Sequence, residues 1–99
     1  MSYAAFAVAR SFRVPGLGLL LLPAAPPPDW LAAFSLYTAL ELRLHRPGEL
    51  SLPVIATIEE LAYADEPPAR ALLLDADPAG PVTPQAWLEL LAPSTSNLV

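Results

Sequence analysis

Thirteen of the ninety-nine residues are proline. A proline can neither donate to a sheet ladder nor sit inside a helix, so each one marks a turn, a sheet edge or the end of an element. The chain is thereby cut into short pieces. Only Asp29 to Arg46 could hold a long helix, so a helical bundle is disfavoured. Short strands with turn signals between them predict an all-β fold, a small closed or partly open antiparallel β-barrel. A chain of this length supports one core, which places a single barrel domain over 1–92 and a flexible, frayed tail over 93–99.

Periodicity locates the strands. Ala5 to Val14 alternates, with Phe6, Val8, Phe12 and Val14 expected on one face and Arg10 interrupting it. Pro15-Gly16-Leu17-Gly18 reads as a tight turn, because glycine takes positive φ without steric cost, and Leu19 to Leu22 completes a hairpin. The clearest signal is Thr38, Leu40, Leu42 and Leu44 against Glu41, Arg43 and His45. After the turn at Arg46 to Glu49, Val54, Ala56 and Ile58 alternate until the pattern slips at Glu59-Glu60, where a bulge is expected. Asp65-Glu66-Pro67-Pro68 reads as a turn, Ala71 to Leu74 as a buried strand, and Asp75 to Pro81 as a loop. Two segments look locally helical. Asp29 could cap a short helix over 29–36, and Thr83-Pro84 could start one over 84–91. The second is assigned to a strand, since Ala86, Leu88 and Leu90 alternate with Gln85, Trp87 and Glu89.

Composition removes whole classes of function. Ten acidic residues face five arginines and no lysine, so the chain lacks the cationic footprint that phosphate contacts require and nucleic-acid binding is disfavoured. Without a Gly-Lys-Ser/Thr loop it is not expected to bind ATP or GTP. Without cysteine it can form neither disulfides nor zinc–thiolate sites. The uncharged run Val14 to Pro28 contains five prolines, which rules it out as a membrane span. Arg10 and Arg13 lie behind the apolar stretch Tyr3 to Ala9 rather than at the start of a secretory signal. A cytoplasmic location is the expectation.

The order of the pieces resembles a known family. Phe12-Arg13-Val14-Pro15-Gly16-Leu17-Gly18 running into Leu19 to Leu22, then Ala39 to Leu42, Pro47-Gly48, Ile55 to Leu61 and Ala71 to Asp75, is similar in order and spacing to the second-domain β-barrel of the translational GTPases, as in elongation factor Tu. That barrel also occurs alone in short bacterial proteins. The chain departs from the family pattern in three places. Leu17 stands where an arginine is usual, Thr38-Ala39 replaces Gly-Asp, and the proline-rich segment Ala24 to Ser35 is inserted. The resemblance implies a barrel, and in the complete factors that barrel helps to hold the aminoacylated end of tRNA.

No constellation of residues points to catalysis. Asp75-Ala76-Asp77-Pro78-Ala79-Gly80 begins like a calcium loop, but Ala79 and Ala86 occupy ligand positions. Glu59-Glu60 and Asp65-Glu66 are adjacent pairs, which a strand points to opposite sides. His45 is the sole histidine, and no serine sits in a nucleophile elbow. Neither cofactor nor metal is expected. Five large aromatics, Trp30, Phe34, Tyr37, Tyr63 and Trp87, exceed what one thin core in so small a domain absorbs. Trp30, Leu31 and Phe34 of the inserted segment need a surface to cover them, either the open end of their own barrel or a partner, and with Trp87 they are the expected partner-binding residues. The chain reads as a non-catalytic protein-interaction module that binds a protein partner or itself, a homodimer being the simplest closed arrangement. A translation-associated accessory contacting tRNA or the ribosome is the alternative.

Overall fold

The computed structural model describes residues 5–75 and 82–93. In chain order it contains β1 (Phe6–Val14), β2 (Gly18–Pro23), the single helical turn α1 (Trp30–Ala33), β3 (Ala39–His45), β4 (Leu52–Tyr63), β5 (Glu66–Leu74) and β6 (Trp87–Pro93). Every pairing is antiparallel. The order β1-β2-β5-β4-β3-β6 closes on itself, so the sheet forms a ring. Closure is uneven. β3 and β4 stay in register from Ala39↔Thr57 to Leu44↔Leu52, whereas β1 meets β6 only at Phe6↔Leu88 and Ala7↔Trp87.

The alternating sequence of β3 accounts for the middle of the core. Leu40, Leu42 and Leu44 are fully buried, facing Ala56 and Val54 of β4 and Leu90 and Leu88 of β6. The first hairpin turns where expected, with the Leu17 amide donating to the Val14 carbonyl at 2.9 Å. Gly18 is required there for two reasons. Its φ is +140°, and a Cβ would run into the backbone carbonyl of Leu74 on the neighbouring strand. In ring order β5 and β4 lie between β2 and β3. Residues 24–38 must therefore cross an end of the ring, and in doing so they deliver Leu31 to the core. Arg70 of β5 fixes this crossing by donating from Nη1 to the carbonyls of Leu31 and Phe34.

Four local expectations are corrected. The register of β1 slips between Val8 and Arg10. This bulge leaves Phe6 and Val8 buried but turns Phe12 outward, where it is 44% exposed. Ser11 now lies across from the buried Leu21, and its hydroxyl is satisfied by the Val82 carbonyl at 2.9 Å. In β4 the pairing runs unbroken through Glu59 and Glu60 to Leu61, and the irregularity falls between Leu61 and Tyr63. The slip in pattern arises because the β4–β5 hairpin runs on past the core.

Pro67 and Pro68 belong to β5 rather than to a turn. They are tolerated because β2 pairs with β5 only at Leu72 to Leu74, leaving this stretch as an edge, and because the irregularity lies opposite them. The helix is four residues long. Asp29 makes no side-chain cap bond and Phe34 is already extended, so the turn stops well short of residue 36.

The strand assignment near the C-terminus is correct from Trp87 onward. Thr83 accepts a bond from the Gln85 amide at 3.4 Å, as a helix cap would, but only a turn follows. β6 extends through Pro93. Residues 94–99 and most of the acidic loop Asp75 to Pro81 lie outside the described residues. No helix among the described residues is long and apolar enough to cross a membrane.

Candidate interaction surface

The four residues singled out from the sequence fall in two unconnected places. Leu31 is a core residue, 3% exposed, and cannot serve as contact surface. Trp30 and Phe34 pack against that core, with the Trp30 ring 6.3 Å from that of Phe6. The inserted segment therefore covers its own barrel. Trp87 points the other way, outward from β6 and 39% exposed. Its ring stacks on His45 of β3, its cross-strand neighbour, at 3.9 Å and 6°. His45 Nε2 lies 3.1 Å from Glu89 Oε1, so the histidine is held flat against the wall and is less exposed than its position at the mouth of a turn implies.

A second surface escaped the sequence reading. In β2 and β5 the apolar residues do not alternate: Leu19 to Leu22 and Ala71 to Leu74 are continuous runs. Leu19, Leu21, Leu72 and Leu74 fill the core. Leu20, Leu22 and Leu73 consequently face outward, whereas Ala71, on the same side of β5, is fully covered. Register joins them to their neighbours. One row runs Phe12↔Leu20↔Leu73↔Thr57 across β1, β2, β5 and β4. The row beside it has Arg10↔Leu22 at one end and Ala71↔Glu59 at the other. Leu20, Leu22 and Leu73 are half-buried, and Ile55 of β4 adds an outward side chain 37% exposed.

The flanks of this face are polar and ordered. The Arg10 guanidinium sits 5.2 Å from the centroid of the Phe12 ring, a cation–π contact. Glu59 Oε2 accepts a 2.8 Å bond from the Thr57 hydroxyl. Three strand spacings separate Arg10 from Glu59, about 14 Å, too far for an ion pair within one chain.

Comparison with family models, with curated proteins and with solved structures gives no match. The surface must be judged on its own chemistry. Among the described residues no group of three or more His, Asp or Glu side chains is placed to hold a metal ion. Two cavities are lined by described residues alone. One, of about 260 Å³, lies at the hairpin tip between Arg13, Leu17 and Asp75. Another, of about 310 Å³, is walled by Pro23, Pro27, Pro28 and Pro68 beside Arg70. Neither contains His45, and the guanidinium of Arg70 is committed to backbone carbonyls.

The missed surface did carry a signal. An antiparallel strand with one face in water alternates, whereas a strand covered on both faces reads as a continuous apolar run. Two such runs adjacent in the ring require a cover on the outside as well as a core within. Phe12 could not have been placed there from sequence, because a bulge between Val8 and Arg10 decides its side.

Proposed function

We propose that the chain is a non-catalytic protein-interaction module, and that its contact surface is the outer face of β1, β2, β5 and β4. The observation that carries this reading is the outward apolar row Phe12, Leu20 and Leu73, continued by Leu22 and Ile55. Contiguous exposed apolar surface of this kind on a small domain marks an interaction site. The absence of lysine and a net charge of −5 favour a protein over a phosphate-bearing partner. The antiparallel ring with its hairpin at Pro15 to Gly18 is compatible with a barrel of the translational-GTPase second-domain type. Its function here differs from tRNA contact, because Leu17 replaces the turn arginine and the recruited surface is apolar.

The test is a photo-crosslinking amino acid placed at Leu73 on this face, with a control at Leu50, which is 91% exposed and lies in the β3–β4 connection. The expected result is a discrete adduct in living cells from position 73 and none from position 50. The absence of any adduct from position 73 would overturn the reading.

A further inference from the structure

We infer that the protein seated on this face is a second copy of the same chain, related by a two-fold axis parallel to the strands and running between β2 and β5. This rests on the reading of the face as an interaction surface and names its occupant. A two-fold interface must be self-complementary, with residue i of one copy meeting residue j of the other and the reverse. The face has that property. About the line between β2 and β5, Leu20 is opposite Leu73 and Phe12 opposite Thr57, and carrying the same register one residue beyond Leu21↔Leu72 brings Leu22 level with the covered Ala71. At the margins Arg10 is opposite Glu59. Rotation about that line puts apolar on apolar at the centre and lays each Arg10 over a Glu59 of the other copy.

The shape agrees with the chemistry. The outside of a closed ring is convex, so two copies approach most closely along β2 and β5 and diverge toward β1 and β4. Leu20, Leu22 and Leu73 sit where the gap is narrow, and an arginine and a glutamate, able to reach further, sit where it widens. Neither charge finds its counterpart at home, since about 14 Å separates them within one sheet. Glu59 is also held in place by the Thr57 hydroxyl, and Arg10 by the Phe12 ring, so both are presented rather than left to wander.

The experiment is a charge reversal with complementation, read by sedimentation of the full chain at micromolar concentration. R10E alone places two acidic residues opposite each other at both margins of the dimer, and E59R alone places two arginines there. Each should weaken self-association about tenfold or more, given two altered pairs per dimer. Mixed in equal amounts they should form the dimer again. The glutamate introduced at position 10 of one variant then meets the arginine introduced at position 59 of the other, and the remaining pair is native. A role for either residue within its own chain would not be rescued by mixing.

The chain has no cysteine, so a second arm mixes L20C with L73C. The mixed disulfide should form in preference to either homodisulfide, and this arm stands if a charge variant fails to fold. A wild-type chain that stays monomeric, or reversals that leave the dimer intact, would overturn the proposal. If the crosslinker at Leu73 instead captures a species whose mass is not that of a second copy, the interaction surface stands and the dimer falls. If position 73 captures nothing, both fall.

Discussion

Gly18 and Gly16 stand two residues apart in one hairpin, and exchanging each for alanine should have very different consequences. At Gly16, φ is +81° and nothing lies within 4 Å of where a Cβ would be. The cost is then the left-handed backbone alone, about 1 to 2 kcal/mol. At Gly18, φ is +140°, a region reserved to glycine, and the new methyl would collide with the carbonyl oxygen of Leu74, whose carbon is also within 3.1 Å. That carbonyl belongs to the wall of the barrel. Leu74 pairs with Leu19 on one side and Ala56 on the other, so relief of the clash must part β2 from β5. Backbone strain of about 1 to 3 kcal/mol and overpacking of a similar size give about 2 to 6 kcal/mol, a large share of the roughly 5 to 15 kcal/mol available to a domain of this kind. Urea unfolding followed by tryptophan fluorescence measures both variants. Equal costs for the two, or a Gly18→Ala protein within about 1 kcal/mol of wild type, would refute the placement of β2 against β5.

Leu42→Ala should cost about 3 to 5 kcal/mol, three buried carbons at about 0.8 kcal/mol each plus the cavity left among neighbours that cannot close it; a change in urea midpoint worth less than about 1 kcal/mol would contradict a core centred on β3. Trp30→Ala should destabilise by about 2 kcal/mol, roughly half the cost of a fully buried aromatic, and should leave self-association unchanged, which sedimentation at matched concentration decides. Calorimetry with GTP or ATP should register no binding, for want of any phosphate-cradling loop, and a micromolar affinity would overturn that exclusion.

The fold was legible wherever one local rule decided the outcome. Leu40, Leu42 and Leu44 share a face because a strand has period two, and the glycines of the first hairpin mark its turn because only they take its backbone angles. Legibility ended where tertiary context ruled. Arg10 and Phe12 are outward because a single extra residue after Val8 shifts the phase, and nothing local at Ala9 announces it. Pro67 and Pro68 look like a turn, yet become a strand because β2 ends before reaching them. Thr83 makes the bond of a helix cap, but the alternating residues after it satisfy β3 instead.

The candidate site divides in the same way. Trp30 and Phe34 stand out by size and Leu31 by its place in the inserted segment, and such residues plug a barrel as well as they bind a partner. Trp87, expected to bind a partner, is partly exposed with its ring stacked on His45. The leucines of β2 and β5 went unremarked because a continuous apolar run reads as core. The ring has only one inside, and the excess residues must face out.

The central claim is that two copies of the chain associate through the outward rows on β1, β2, β5 and β4. A dilution series of amide and methyl NMR spectra on the full chain tests it most directly, since it reports every residue at once in the unmodified protein. Concentration-dependent shifts gathered at Arg10, Phe12, Leu20, Leu22, Leu73 and Glu59, with Trp30, Phe34 and Leu50 unmoved, are the predicted result. Spectra that do not change with concentration, or shifts gathered instead around Trp30 and Phe34, would contradict it.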